Sequence, residues 1–124
     1  MRTALAIAVA GALGALTRYG LGVAITRRVK GDFPWGTFVI NVTGAFALGL
    51  VFSLLTERWN APDWVRSAII VGFLGAYTTF STLSFETYRL AADKALGLAA
   101  ANIVGSCAAG LVAVYLGVLL GRAV

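Results

Sequence analysis

Histidine is absent from the 124 residues, cysteine occurs once and proline twice. Without an imidazole, one chain can hold no histidine metal site, no histidine-dependent triad and no imidazole proton relay. Cys107 stands alone in an apolar run, so there is no disulfide framework. Acid is scarce as well: five Asp and Glu stand against ten Lys and Arg, for a net charge of +5. Apart from Glu86, the acids Asp32, Glu57, Asp63 and Asp93 fall in loops or at the ends of apolar runs. Paired carboxylates for acid–base work are therefore missing, as are a phosphate-binding loop and a nucleophile with its base. The chain does not read as an enzyme.

Charge of either sign amounts to only 12% of the residues, while 60% are hydrophobic and mean hydropathy is +0.89. Soluble domains carry about 25% charged residues, and one of this size could not hide so much apolar surface. Lipid is the solvent that this composition suits. The length allows one domain, residues 1–124, with room for about four spans of roughly 20 residues. The apolar runs place them near 3–26, 35–55, 65–90 and 95–120, separated by turns at Lys30-Gly31-Asp32 and at Asn60, Pro62 and Asp63. Trp35 suits the aromatic belt at a membrane interface. Arg2 before an apolar stretch has the form of a signal-peptide start. The run continues past Arg18 to about Ile25 and three more spans follow, so the segment reads as a retained helix. The expectation is an all-α, multi-pass protein of the cell (inner or plasma) membrane.

The basic residues lie at or between the ends of the runs, where anionic lipid headgroups would meet them, and form no face suited to nucleic acid. With four spans, Arg2, Arg58, Arg66 and Arg122 share one side, and Arg27, Arg28, Lys30, Arg89 and Lys94 the other. Orientation in a membrane is set by an asymmetry of such charges, and here there is almost none. A weak bias could still fix one topology. The alternative is insertion both ways, giving an antiparallel dimer.

Small and polar residues recur at helical spacing: Gly14, Arg18 and Gly22; Asn41, Ala45 and Gly49; Asn102, Ser106 and Gly110. Such stripes let helices approach closely in lipid. Three places hold polar groups at membrane depth, where they are costly and hence functional candidates. In the third span Thr78, Thr79, Ser81, Thr82 and Ser84 crowd hydroxyls next to Gly72 and Gly75. Hydroxyls compete with the helical backbone and glycine weakens it. The expectation is a mid-membrane break, whose freed carbonyls can hold a cation and whose donors an anion; the other reading is a helix with back-bonded hydroxyls. Asn41 can donate to an anion or bond across a helix interface. Arg18 can attract anions, pair with an acid or snorkel to the headgroups. Glu86 belongs either to a polar track or, beside Arg89, to the interface.

The run Gly72-Phe-Leu-Gly75, then Thr78-Thr-Phe-Ser-Thr82 and Glu86, resembles the Fluc/CrcB fluoride channels. The segment Trp35-Gly-Thr-Phe-Val-Ile-Asn41-Val-Thr-Gly44 is similar to their second-helix motif, and Gly14 through Arg18-Tyr19 to their first. The resemblance spans essentially the whole chain. It implies an antiparallel dual-topology homodimer with a broken third helix and two fluoride pores lined by both subunits. It implies a structural sodium ion held by the backbone carbonyls of Gly75 and Thr78. Asn41 would donate to fluoride, and the electropositive ring edge of Phe80 would face it. Ser81, Thr82 and Glu86 would lie on a polar track, with Asn102 and Ser106 contributing from the fourth span. Two positions depart from the family pattern: Leu83 replaces a phenylalanine, and Asn102 stands where a tyrosine is common. An aromatic station of each pore is thereby altered, and a non-conducting subunit of a heterodimeric channel is one alternative. A small multidrug-type, proton-coupled transporter is the other. That chemistry needs an acid in the first span, which has only Arg18.

Overall fold

The computed structural model describes residues 1–124 and is entirely helical. Four helical segments are long and apolar enough to cross a membrane: Arg2–Arg28, Trp35–Arg58, Asp63–Ala92 and Leu96–Ala123. We call the first α1 and the second α2. The third comprises α3, residues 63–77, and α4, Phe80–Ala92; the fourth is α5. Each outruns its apolar core by one to three residues at most ends. Polar termini such as Arg27, Arg28 and Arg122 extend a helix into the region where water or headgroups can take its last carbonyls.

Two stretches widen into π-helical turns, Ser53–Arg58 at the end of α2 and Ser67–Leu74 within α3. In the first, the Trp59 N–H reaches the Leu54 carbonyl five residues back. The second faces α1, where Gly72 lies against the Ile7 carbonyl and Gly14 against the Phe73 backbone. The most extensive packing joins α2 to α5. Gly49 abuts the Val114 carbonyl and Gly117 abuts the Phe46 carbonyl, so the two backbones nearly touch.

Only 18 of the 124 residues are buried in the single chain, and the exposed ones include Leu5, Val9, Leu13, Val104, Leu111 and Val112. In water this outward apolar surface would be a large penalty, at about 25 cal/mol per Å². In lipid it costs nothing, and the protein is a multi-pass membrane protein.

Contacts at the two ends sort the basic residues as span alternation requires. At one end the Arg2 guanidinium lies 4.1 Å over the Trp64 ring, Arg66 pairs with Asp63, and Arg122 holds Glu57 by two 2.9 Å bonds. At the other, Arg18, Arg27, Asp32 and Glu86 line one cleft, and Asp32, Glu86, Arg89 and Asp93 a second.

Candidate functional site

Between α3 and α4 the backbone of Thr78 (φ −82°, ψ 159°) and Thr79 (φ −151°, ψ 116°) is extended. The reason lies in local competition for hydrogen bonds. In an unbroken helix the Thr79 N–H would bond to the Gly75 carbonyl, four residues back. It donates instead to Asn41 Oδ1 at 2.8 Å, and Asn41 Nδ2 donates to the Thr79 carbonyl at 3.0 Å. The Thr82 N–H, whose helical partner would be Thr78, goes to Thr79 Oγ1 at 3.2 Å, so Thr79 caps α4 with its side chain. Thr82 Oγ1 accepts from that same hydroxyl at 2.9 Å, and Ser81 Oγ lies 3.3 Å from it.

One consequence is that the Gly75 and Thr78 carbonyls accept no hydrogen bond from the backbone. Gly75 is exposed and Thr78 half-buried. Neutral carbonyl oxygens of this kind are the donor set of a hard monovalent cation. The chain has no group of three or more His, Cys, Asp or Glu side chains that could hold a metal. The donor set therefore fits sodium and gives nothing to a thiolate- or imidazole-seeking metal.

Two openings meet at this interruption. A cleft of about 740 Å³ lies between α1, the 29–34 loop, α2 and α4, with Arg18, Thr37, Thr79, Thr82 and Glu86 on its wall. A groove of about 370 Å³ runs past Asn41, Gly75, Thr78, Phe80, Leu83 and Ser106. Thr79 is the residue common to both. In the cleft, Glu86 Oε1 accepts from Thr37 Oγ1 at 2.8 Å while Oε2 is buried without a partner. Thr43 Oγ1 and the Tyr77 hydroxyl, 2.8 Å apart, tie α2 to the last turn of α3.

The residues singled out from sequence are thus distributed unevenly. Asn41, Thr82, Glu86 and Arg18 surround the interruption or its cleft. Phe80 is 75% exposed and Ser81 is also exposed, so in one chain both face lipid or a neighbour. Leu83 and Ser106 are buried at the groove, Ser106 with an unpartnered hydroxyl. Asn102 lines neither opening: it is fully buried and donates to Thr87 Oγ1 at 2.9 Å, joining α5 to α4. Sequence reasoning passed over Thr37, Tyr77 and, as an individual residue, Thr79. Thr37 lies one helical turn before Asn41 on the same face, a spacing that would have marked it.

Residues 5–118 match the family described as CrcB-like protein, Camphor Resistance (CrcB). Similar proteins include the fluoride-specific ion channel FluC of Solibacter usitatus, 49% identical over 118 residues, covering 95% of this chain and 97% of that protein. The protein of the same name from Acidobacterium capsulatum is 48% identical, covering 94% and 93%. That from Geotalea uraniireducens is 42% identical over 99% of both chains. A match over nearly the full length, containing both Asn41 and the Thr78–Thr79 interruption, shows that this chain belongs to the CrcB family.

Proposed function

We propose that the chain is a fluoride-selective channel, not an enzyme, exporting cytoplasmic fluoride passively down its electrochemical gradient. The observation that carries this is the 49% identity, over 95% of the chain, to a protein named a fluoride-specific ion channel. The donors around the interruption agree with it. They are neutral: the second amide N–H of Asn41 and the hydroxyls of Ser81 and Thr82, the Thr79 hydroxyl being spent on Thr82 Oγ1. A strongly hydrated anion needs donors that replace its water, and neutral ones let it leave again. The exposed Phe80 edge carries partial positive charge and adds a weaker contact. Arg18 on the cleft wall favours anions at the entrance, and Thr37 holds one oxygen of the Glu86 carboxylate.

The assembly in this reading is an antiparallel dual-topology homodimer with two pores, the third span broken mid-membrane. The near-balanced basic ends and the outward Phe80 support it. Ser106 of α5 completes the pore wall at the groove, with Asn102 behind it, bonded to Thr87. A structural sodium ion at the dimer centre would be held by the Gly75 and Thr78 carbonyls of both chains, neutralising their dipoles where they converge.

The test is purified protein in potassium-loaded liposomes, with valinomycin-triggered efflux read by a fluoride electrode and chloride run in parallel. Rapid fluoride release with little chloride release is expected. No fluoride release from folded protein would sink the homodimeric channel and turn attention to a heterodimeric partner.

A further inference from the structure

The Asn41 amide makes two hydrogen bonds to one residue, accepting from the Thr79 N–H at 2.8 Å and donating to the Thr79 carbonyl at 3.0 Å. That arrangement copies a backbone peptide paired across a β ladder. An ordinary tie between helices would need one bond, to a carbonyl the helix already satisfies. Here both partners belong to a residue that has left the helix, so the side chain supplies what the helix would have supplied.

Thr79 is buried to 9% exposure, and a buried N–H without an acceptor is expensive. Remove the Asn41 amide and the nearest remedy is for the Thr79 N–H to return to its helical acceptor, the Gly75 carbonyl. That carbonyl is free only because Asn41 diverts its donor. The closed pair of bonds also fixes the amide's orientation, since Oδ1 must face the Thr79 N–H. One Nδ2 hydrogen is committed to the Thr79 carbonyl, which leaves one for another acceptor.

We propose that Asn41 is the positioning residue of the cation cradle: its amide stands in for a peptide opposite Thr79, releases the Gly75 carbonyl toward the ion, and presents its one spare N–H to the anion. The proposal deepens the sodium reading given above and rests on it. A single side chain then links the two ions, because the bond that readies the carbonyl also aims the donor.

The experiment titrates sodium chloride against the purified full-length chain in detergent, with N-methyl-D-glucamine chloride holding ionic strength constant. The readouts are the thermal midpoint and the dimer fraction, with liposome fluoride flux measured alongside. In Asn41→Ala the half-saturating sodium concentration is expected to rise at least tenfold over the parent's. Phe80→Ile, outside the amide pair, is expected to lose flux and keep the parent's sodium response. Asn41→Asp keeps an oxygen for the Thr79 N–H but has no N–H for the Thr79 carbonyl or for the anion. Its negative charge beside the cation offsets the lost bond, so it should lose flux while binding sodium no more weakly than the parent. This second variant decides the matter if Asn41→Ala does not fold. A sodium response unchanged in Asn41→Ala, or abolished in Asn41→Asp, would overturn the proposal. A parent chain with no sodium response would sink the sodium reading and this proposal with it, a result distinguished by every variant being equally flat.

Discussion

Asn102 donates through Nδ2 to Thr87 Oγ1, yet its Oδ1 meets no donor although the side chain has no exposed surface. The Thr87 hydroxyl cannot help, because it already donates to the Leu83 carbonyl at 2.8 Å. A net hydrogen bond contributes about 1 kcal/mol, whereas a buried polar atom left unmade costs about 1–3 kcal/mol. The two nearly cancel at Asn102. Replacing it with an apolar residue removes the bond and the orphaned oxygen together. Asn102→Val is therefore expected to keep stability within about 1 kcal/mol of the parent. Asn102→Asp puts a second acceptor, or a charge, against a hydroxyl that has no hydrogen to give, and should cost about 3 kcal/mol or more. Denaturant unfolding in detergent checks both. An Asn102→Val variant losing as much as Asn102→Asp would mean that the oxygen has a partner after all.

Helix against helix, the critical contact is α2 on α5. A Cβ at Gly49 would stand 2.3 Å from the Val114 carbonyl oxygen, and one at Gly117 would stand 2.2 Å from the Phe46 oxygen. Both obstacles are backbone and cannot rotate away, so the helices must part. Overpacking of this kind costs about 1–3 kcal/mol, and Gly49→Ala and Gly117→Ala should each lower the melting midpoint accordingly. Gly20→Ala is the contrast, because nothing lies within 4 Å of its Cβ position. It should be neutral or stabilise by up to about 1 kcal/mol through helix propensity. Equal melting of all three would show that the α2–α5 spacing is looser than drawn. These elements also show what the sequence could reveal. The four spans were legible because the length of an apolar run reports directly on bilayer thickness. The stripe of Asn41, Ala45 and Gly49 was legible as a face, but its partner Gly117 was not, since nothing local says which helix it meets. The π-helical turns at Ser53–Arg58 and Ser67–Leu74 were invisible for the same reason. At the site, Asn41 and the Thr78–Thr82 hydroxyls stood out singly as costly groups in lipid. Their pairing across 38 residues, and the two competing fates of the hydroxyls, are settled by tertiary contact. Thr79 caps a helix, while Thr78, Ser84 and Thr87 bond back to the preceding turn. The family resemblance gave Asn102 a place on the pore wall; in the single chain it is buried and bonded to Thr87 of α4.

Across the whole molecule, the two ends carry nearly equal positive charge. Arg2, Arg58, Arg66 and Arg122 gather around Trp64, Asp63 and Glu57. Arg27, Arg28, Lys30, Arg89 and Lys94 belong to the end with Asp32 and Asp93. Insertion follows the end richer in Lys and Arg, so balance is what an antiparallel pair made of one sequence requires. Changing Arg27, Arg28 and Lys30 together to Gln leaves Arg89 and Lys94 as the bases outside the spans at that end, Arg18 lying within α1, against Arg2, Arg58, Arg66 and Arg122 at the other. The four-base end should then stay cytoplasmic. An Asp32→Cys probe in a Cys107→Ala background would report this through a membrane-impermeant thiol reagent: about half labelled from outside with the balanced charges, and nearly all with the triple change. Cells making only the triple variant should lose fluoride flux, since every copy points the same way and no antiparallel partner exists. Co-expression with Arg58→Gln/Arg66→Gln, biased the opposite way, should restore it. Arg122 is spared because it ties Glu57 of α2 to α5, whereas Arg66 pairs only with Asp63 one turn away in its own helix, so its loss parts no two elements. Full flux from the triple variant alone would rule out the antiparallel pair, because a chain held in one orientation can meet only copies facing the same way.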